Sequence, residues 1–181
     1  ERIVSALDSV LASHEASLRD PLYLPFLYGG DSDPRALATF HNLAASHGRD
    51  HLISAVCEGI TFGHRRHLDK LVEKGFPIGP IVVTGGAARS QPWMRMLATT
   101  LGKSVATVEA IETGTLGAAI TGAVGVGIFE DYSAAAKEMV GGRNEIPADL
   151  DGISMASQRY EMFNRLVETL TPLWHSFTDD T

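Results

Sequence analysis

The sequence predicts an α/β fold, rich in helix with few strands, carried by a single domain over residues 1–181. Three observations predict it. Apolar residues recur at helical spacing along most of the chain. Only two short runs, 81–84 and 104–108, have strand character. The first of these breaks into Gly85-Gly86 just ahead of another helical stretch, the pattern of a β–turn–α unit. A chain of 181 residues can bury one proper core, and a mean hydropathy of +0.03 with 44% hydrophobic residues suits a globular protein.

Residues 2–19 place Ile3, Leu7, Val10, Leu11 and Leu18 at helical spacing, and Asp20-Pro21 ends the run. Residues 21–33 read as a loop with Gly29-Gly30-Asp31 at its tip. Asp33-Pro34 then reads as the cap and first residue of a short helix carrying Leu37, Phe40 and Leu43, closed by Gly48. Asp50 is the expected cap of a long helix running to about Lys74, with Leu52, Ile53, Val56, Ile60, Leu68, Leu71 and Val72 as its apolar stripe. Gly59 and Gly63 each cost that helix about 1 kcal/mol in propensity. The expected return is another element packed closely on the bare backbone. Gly75 closes the helix, and Pro77-Ile78-Gly79-Pro80 turns into strand 81–84.

Beyond the glycine pair, Gln91 to Leu101 reads as a helix with Trp93, Met94, Leu97 and Leu101 inward, followed by strand 104–108. Residues 115–126 and 133–140 read as helices, and 141–147 as a mobile loop. Residues 154–177 form the last helix, with Met155, Tyr160, Phe163, Val167, Leu170 and Trp174 at helical spacing and a bend or break near Pro172. Two strands rarely make a sheet alone. Further strands are expected upstream of Glu1, where the chain starts without methionine inside an amphipathic pattern and reads as cut from something longer.

Composition excludes several classes. A net charge of −7 argues against a nucleic-acid partner. No apolar run reaches the ~18 residues of a membrane span, so no membrane partner is expected. Cys57 is alone, which forbids an intrachain disulfide and favours a cytoplasmic location, and residues 1–19 show no signal-peptide pattern.

Two segments carry candidate chemistry. In Thr84-Gly85-Gly86-Ala87, glycine permits positive φ and leaves no Cβ between backbone and ligand, so a phosphate can approach the amides. Ser90 lies one turn on, where its hydroxyl could reach a nucleotide. Taken alone, the same pattern is an ordinary tight β–α turn. It is neither a Walker loop, lacking the Lys-Ser/Thr, nor a dinucleotide fingerprint, lacking the third glycine. In Glu112–Ala119, Thr113 and Gly114 form a helix entrance and Gly117, Ala118 and Ala119 keep the first turns slim; close packing on a sheet would explain those small residues equally. His47/His51 and His64/His67 have helical metal-ligand spacings, with His41 nearby, but Arg65-Arg66 intervene and no metal is expected. Asp31-Ser32-Asp33 reads as a turn and cap rather than a cation loop, and Cys57 as a buried small hydrophobe.

The run Gly85-Gly86-Ala87-Ala88-Arg89-Ser90-Gln91-Pro92-Trp93, with Glu112-Thr113-Gly114-Thr115-Leu116-Gly117-Ala118-Ala119 after it, resembles the C-terminal half of FGGY carbohydrate kinases. The flanks agree: Leu24-Pro25-Phe26-Leu27-Tyr28-Gly29-Gly30 is similar to that family's Pro-aromatic-x-x-Gly loop. Ala55-Val56-Cys57-Glu58-Gly59-Ile60-Thr61-Phe62 is similar to its Ala-x-x-Glu-Gly-x-x-Phe helix, and Tyr160 and Phe163 match its last helix. The resemblance spans nearly the whole chain and looks nearest to pentulose kinases such as L-xylulose kinase.

It implies an incomplete actin-like, ribonuclease-H-like ATPase domain. It also implies ATP-dependent phosphorylation of a sugar or polyol, with ATP and Mg²⁺ as cofactors. Gly85, Gly86, Ala87, Ser90, Thr113 and Gly114 would hold the nucleotide. The sugar would be bound through an N-terminal domain that this sequence does not contain. The family's catalytic Asp, in a Gly-Asp motif, and its Gly-Thr phosphate loop have no match in residues 1–20, and Asp8 is not nominated. No catalytic residue is therefore expected here, and the chain by itself is expected to be inactive. Two other classes fit the same residues: a non-catalytic actin-like nucleotide-binding or regulatory domain, and an interaction module favoured by the bare Gly59/Gly63 face. If truncation merely orphans that face, the chain is expected to self-associate, for instance as a homodimer.

Overall fold

The computed structural model describes residues 2–30, 33–108 and 112–176. The Asp31-Ser32 part of the loop tip, the Ile3 side chain and Phe177 lie outside the described residues. In chain order the elements are α1 (Arg2–Ser13), β1 (Leu22–Leu24), β2 (Thr39–His41), α2 (Arg49–Glu73), β3 (Val82–Val83), a 3₁₀ turn (Gly86–Arg89), α3 (Gln91–Leu101), β4 (Val105–Val108), α4 (Thr113–Gly125), α5 (Tyr132–Met139), β5 (Arg143–Ile146) and α6 (Ile153–Ser176). The fold is α/β, helix-rich with few strands, as expected. β1 and β2 form an antiparallel pair; β3, β4 and β5 form a second sheet in that order, β3 parallel to β4 and β5 antiparallel to it.

Two apolar clusters hold the elements. Leu22, Leu24, Phe26, Phe62, Tyr160, Phe163, Val167 and Trp174 join β1, the following loop, α2 and α6. Met94, Leu97, Ala98, Val105 and Ile146 join α3 to the second sheet. The Trp93 indole N–H ties the two together: it donates to Cys57 O at 3.2 Å and Thr61 Oγ1 at 3.1 Å, both on α2.

Several elements differ from the sequence expectation. Helix α1 stops at Ser13 rather than running to 19. The Asp20 carboxylate pairs with His14 Nε2 at 3.0 Å and accepts the Ser17 N–H at 2.9 Å, holding the chain in a non-helical turn. The stretch after Asp33-Pro34 is no helix. Asp33 caps only its own turn, accepting the Arg35 N–H at 2.9 Å, and the chain then extends into β2. Pairing with β1, which the loop reading of 21–33 missed, stacks Tyr23 on Phe40 at 4.6 Å between ring centroids. Tertiary pairing overrides local propensity here.

Asp50 is not the cap of α2. Gly48 is, and His51 Nδ1 accepts its N–H at 3.2 Å. The face of α2 that is buried carries Ser54, Ala55, Cys57, Glu58, Gly59, Thr61 and Phe62, whereas Leu71 and Val72 of the expected stripe are exposed. Polar residues interleaved on the inner face disguised it. Gly59 does receive another element: a Cβ there would stand 2.1 Å from Tyr23 O of β1. Among the described residues nothing outside the helix's own backbone lies within 4 Å of a Cβ on Gly63, so the bare face is half covered.

Residues 143–146 form edge strand β5, not a mobile loop, because Ile146 inserts into the second core. Helix α6 continues past Pro172 to Ser176, where burial of Trp174 secures the last turn. Helices α3, α4 and α5 and strand β4 lie within two residues of their expected bounds.

Candidate functional site

Strands β3 and β4 run parallel, with Val82 opposite Ala106 and Val83 opposite Thr107. Their C-terminal ends therefore leave the sheet at the same edge, the place where open parallel sheets bind ligands. Gly85-Gly86 follows β3, and Thr113-Gly114 opens the helix that follows β4. Arg89 Nη2 lies 3.5 Å from Glu112 Oε1, so the two candidate segments meet in space.

Gly85 has φ +89°, a left-handed conformation that favours glycine. Gly86 and Ala87 open the 3₁₀ turn, whose first N–H groups lack partners within it. Among the described residues, and apart from the adjoining chain, no atom lies within 4 Å of where a Cβ would stand on Gly85, Gly86 or Gly114. That open backbone fits phosphate oxygens. A metal is a different matter: among the described residues no group of three or more His, Cys, Asp and Glu is placed to hold one. His47 Nδ1 and His51 Nδ1 instead accept backbone N–H groups of Ala44 and Gly48 at the helix entrance.

Ser90 departs from its expected place. It is 1% exposed, its Oγ–H donates to Asp8 Oδ1 at 2.5 Å, and its Oγ accepts the Trp93 N–H at 3.3 Å. Both roles are internal, so the hydroxyl caps α3 and ties the turn to α1. Asp8, set aside on sequence grounds, thus supports the turn from below. Helix α4 is as slim as foreseen, but it does not press on the sheet: Gly117, Ala118 and Ala119 are exposed.

The Ala-x-x-Glu-Gly-x-x-Phe stretch proves to be a structural lock. Glu58 receives Arg159 in a two-pronged ion pair, Nε to Oε1 at 2.7 Å and Nη2 to Oε2 at 2.5 Å. The same guanidinium donates to Ser17 O at 2.5 Å and Pro21 O at 3.1 Å, binding α6 and α2 to the chain between α1 and β1. Burial pushes the Glu58 carboxyl above its usual range, with Arg159 opposing. Gly59 admits β1 and Phe62 is fully buried. Burial likewise raises the Cys57 thiol to about 11 and lowers His64, to which neighbouring His67 adds. Arg159 escaped the sequence reading, although it lies four residues before Phe163 on the inner face of α6. A charge in that row calls for a buried partner.

The family description "FGGY family of carbohydrate kinases, C-terminal domain" matches residues 7–126. The chain belongs to this family. Among FGGY relatives, it is 30% identical over 164 residues to L-xylulose/3-keto-L-gulonate kinase of Escherichia coli, covering 91% of this chain and 33% of that protein. It is 37% identical over 117 residues to a probable L-xylulose kinase of Pasteurella multocida, covering 64% and 24%. The solved xylulose kinase of Rhodospirillum rubrum superposes with a TM-score of 0.81 at 28% identity, over 94% of this chain and 35% of that one. The chain spans a quarter to a third of the length of the curated relatives it matches here. Among the described residues, no helix is long and apolar enough to cross a membrane.

Proposed function

We propose that this chain is the nucleotide-holding C-terminal part of an ATP-dependent carbohydrate kinase acting on a hydroxyl of a pentulose, or of another sugar or polyol. The observation that carries the reading is the meeting of the Gly85-Gly86 turn and the Thr113-Gly114 entrance at one sheet edge. The names of the relatives, L-xylulose and xylulose kinases, support a pentulose. ATP, when bound, supplies the phosphoryl group. Gly85, Gly86 and Ala87 would present backbone N–H groups to its phosphates, and Thr113 and Gly114 would flank the nucleotide. Ser90 would act from beneath by fixing the turn. Mg²⁺ would arrive on the nucleotide, since no described carboxylate set awaits it. A cytoplasmic setting fits an ATP-consuming enzyme with one buried thiol.

Phosphoryl transfer needs an aligned acceptor and a base within reach. On this reading, no sugar site or base is assigned among the described residues at this edge, and residues 1–181 alone would hold nucleotide without turning it over. Calorimetry with Mg²⁺–ADP tests the first half. Saturable one-to-one binding, lost in Gly86→Val, is expected; unchanged affinity in that variant overturns the assignment, as does absence of binding by both this chain and its parent polypeptide. Phosphorylation of L-xylulose by purified 1–181 would overturn the second half.

A further inference from the structure

The proposed phosphate edge belongs to a chain of net charge −7, and a polyanion approaching it meets an unfavourable field. Within 84–90 and 112–119 there is a single cation, Arg89, and a single anion, Glu112. These two face each other at 3.5 Å, with 53% and 76% of their side-chain surfaces exposed. The distance is that of an ion pair, beyond a well-formed charge-assisted hydrogen bond. Solvent screens such a pair, so it contributes little to stability and exchanges partners readily.

Resting on the nucleotide reading above, we propose that Arg89 determines the preference of this site for phosphorylated ligands, and that Glu112 holds Arg89 in reserve until a phosphate displaces it. Arg89 ends the 3₁₀ turn that begins at Gly86, so its backbone is fixed by the same turn that presents the amides. Its guanidinium is permanently charged and has a planar fork of donors suited to phosphate oxygens. Glu112 is the residue immediately before α4 and makes no side-chain cap there, which leaves its carboxylate to Arg89. Ligand entry is then a partner exchange: Arg89 leaves Glu112 for the phosphate, and the freed carboxylate returns to water. Glu112 thereby lowers the affinity of every anion that takes Arg89 by the same factor, which a ligand whose base and ribose also bind can offset and a bare anion cannot.

The test is calorimetric, with Mg²⁺–ADP and adenosine as probes and Arg89→Gln, Glu112→Gln and the double variant as proteins. Both side chains are largely exposed, so these variants are expected to fold as the parent does. Arg89→Gln should weaken ADP about tenfold, as loss of one charge-assisted phosphate contact does, and leave adenosine unchanged. Glu112→Gln should tighten ADP about threefold, the scale of an exposed pair, and this gain should vanish in the Arg89→Gln background. Two outcomes overturn the proposal while leaving the nucleotide site standing: an unchanged ADP-to-adenosine ratio in Arg89→Gln, or a Glu112→Gln gain that persists without Arg89, the mark of plain repulsion. Absence of ADP and adenosine binding by both the unsubstituted chain and its parent polypeptide overturns the proposal together with the reading it rests on.

Discussion

Gly59 and Gly63 are one helical turn apart on α2, yet the structure gives them opposite meanings. At Gly59 a methyl group would stand 2.1 Å from the Tyr23 carbonyl, so β1 would have to move. At Gly63 it would enter open space. Gly59→Ala should therefore destabilise the protein by about 3 kcal/mol or more, as overpacking against backbone does. Gly63→Ala should stabilise it by about 1 kcal/mol through helix propensity. Urea denaturation of the two variants checks both signs. Asp33 gives a second test. The Arg35 backbone N–H, with His175 and the Arg35 side chain, holds its carboxyl down at about 2 against an ordinary 3.8. A depressed carboxyl binds fewer protons when folded than when unfolded, so its contribution is complete above 3.8 and is lost as the pH falls through about 2. The stability gap between the parent and Asp33→Asn should thus be constant near pH ~6 and close towards pH ~2 in acid-denaturation series.

At the scale of elements, edge strand β5 depends on one side chain. Arg143, Asn144 and Glu145 are exposed, and only Ile146, opposite Val105, reaches the second core. Ile146→Ala should cost about 2–4 kcal/mol and release 143–146 from hydrogen-exchange protection. Glu145→Ala, which loses only an exposed bond from Ser104 Oγ, should stay within about 0.5 kcal/mol of the parent. Composition predicts a loop at 141–147, since no alternation marks this strand. Pairing with β4 supplies what local preference lacks. The same holds for β1 and β2, three residues each, whose partners lie across a turn that no tight-hairpin signal announces.

At the scale of the whole molecule, the two cores meet through α2 and α3. Trp174 is buried in the first, and Trp93 packs on the second while donating to Cys57 O and Thr61 Oγ1 of α2. This coupling predicts one cooperative unit. Trp93→Phe and Trp174→Phe each leave a single tryptophan, whose selectively excited emission reports one core at a time. Their thermal transitions should coincide with those followed by far-ultraviolet circular dichroism for the same variant. Separate transitions would show that the two clusters unfold independently.

The sequence by itself determined the strand–Gly85-Gly86–helix unit, the long helices and the family, because those features are local: helical spacing, a glycine pair after an apolar run, and motif order along the chain. It also brought out Gly59, whose cost in a helix interior called for a close neighbour. Tertiary structure alone decided the rest. Ser90 turned inward because Asp8, 82 residues away, accepts a hydrogen bond from its hydroxyl. Glu58 became a lock because Arg159, 101 residues away, reaches it. Arg89 and Glu112 became an ion pair because two parallel strands end at the same edge. Each is a meeting of groups distant in sequence, set by how apolar faces pack rather than by any local preference.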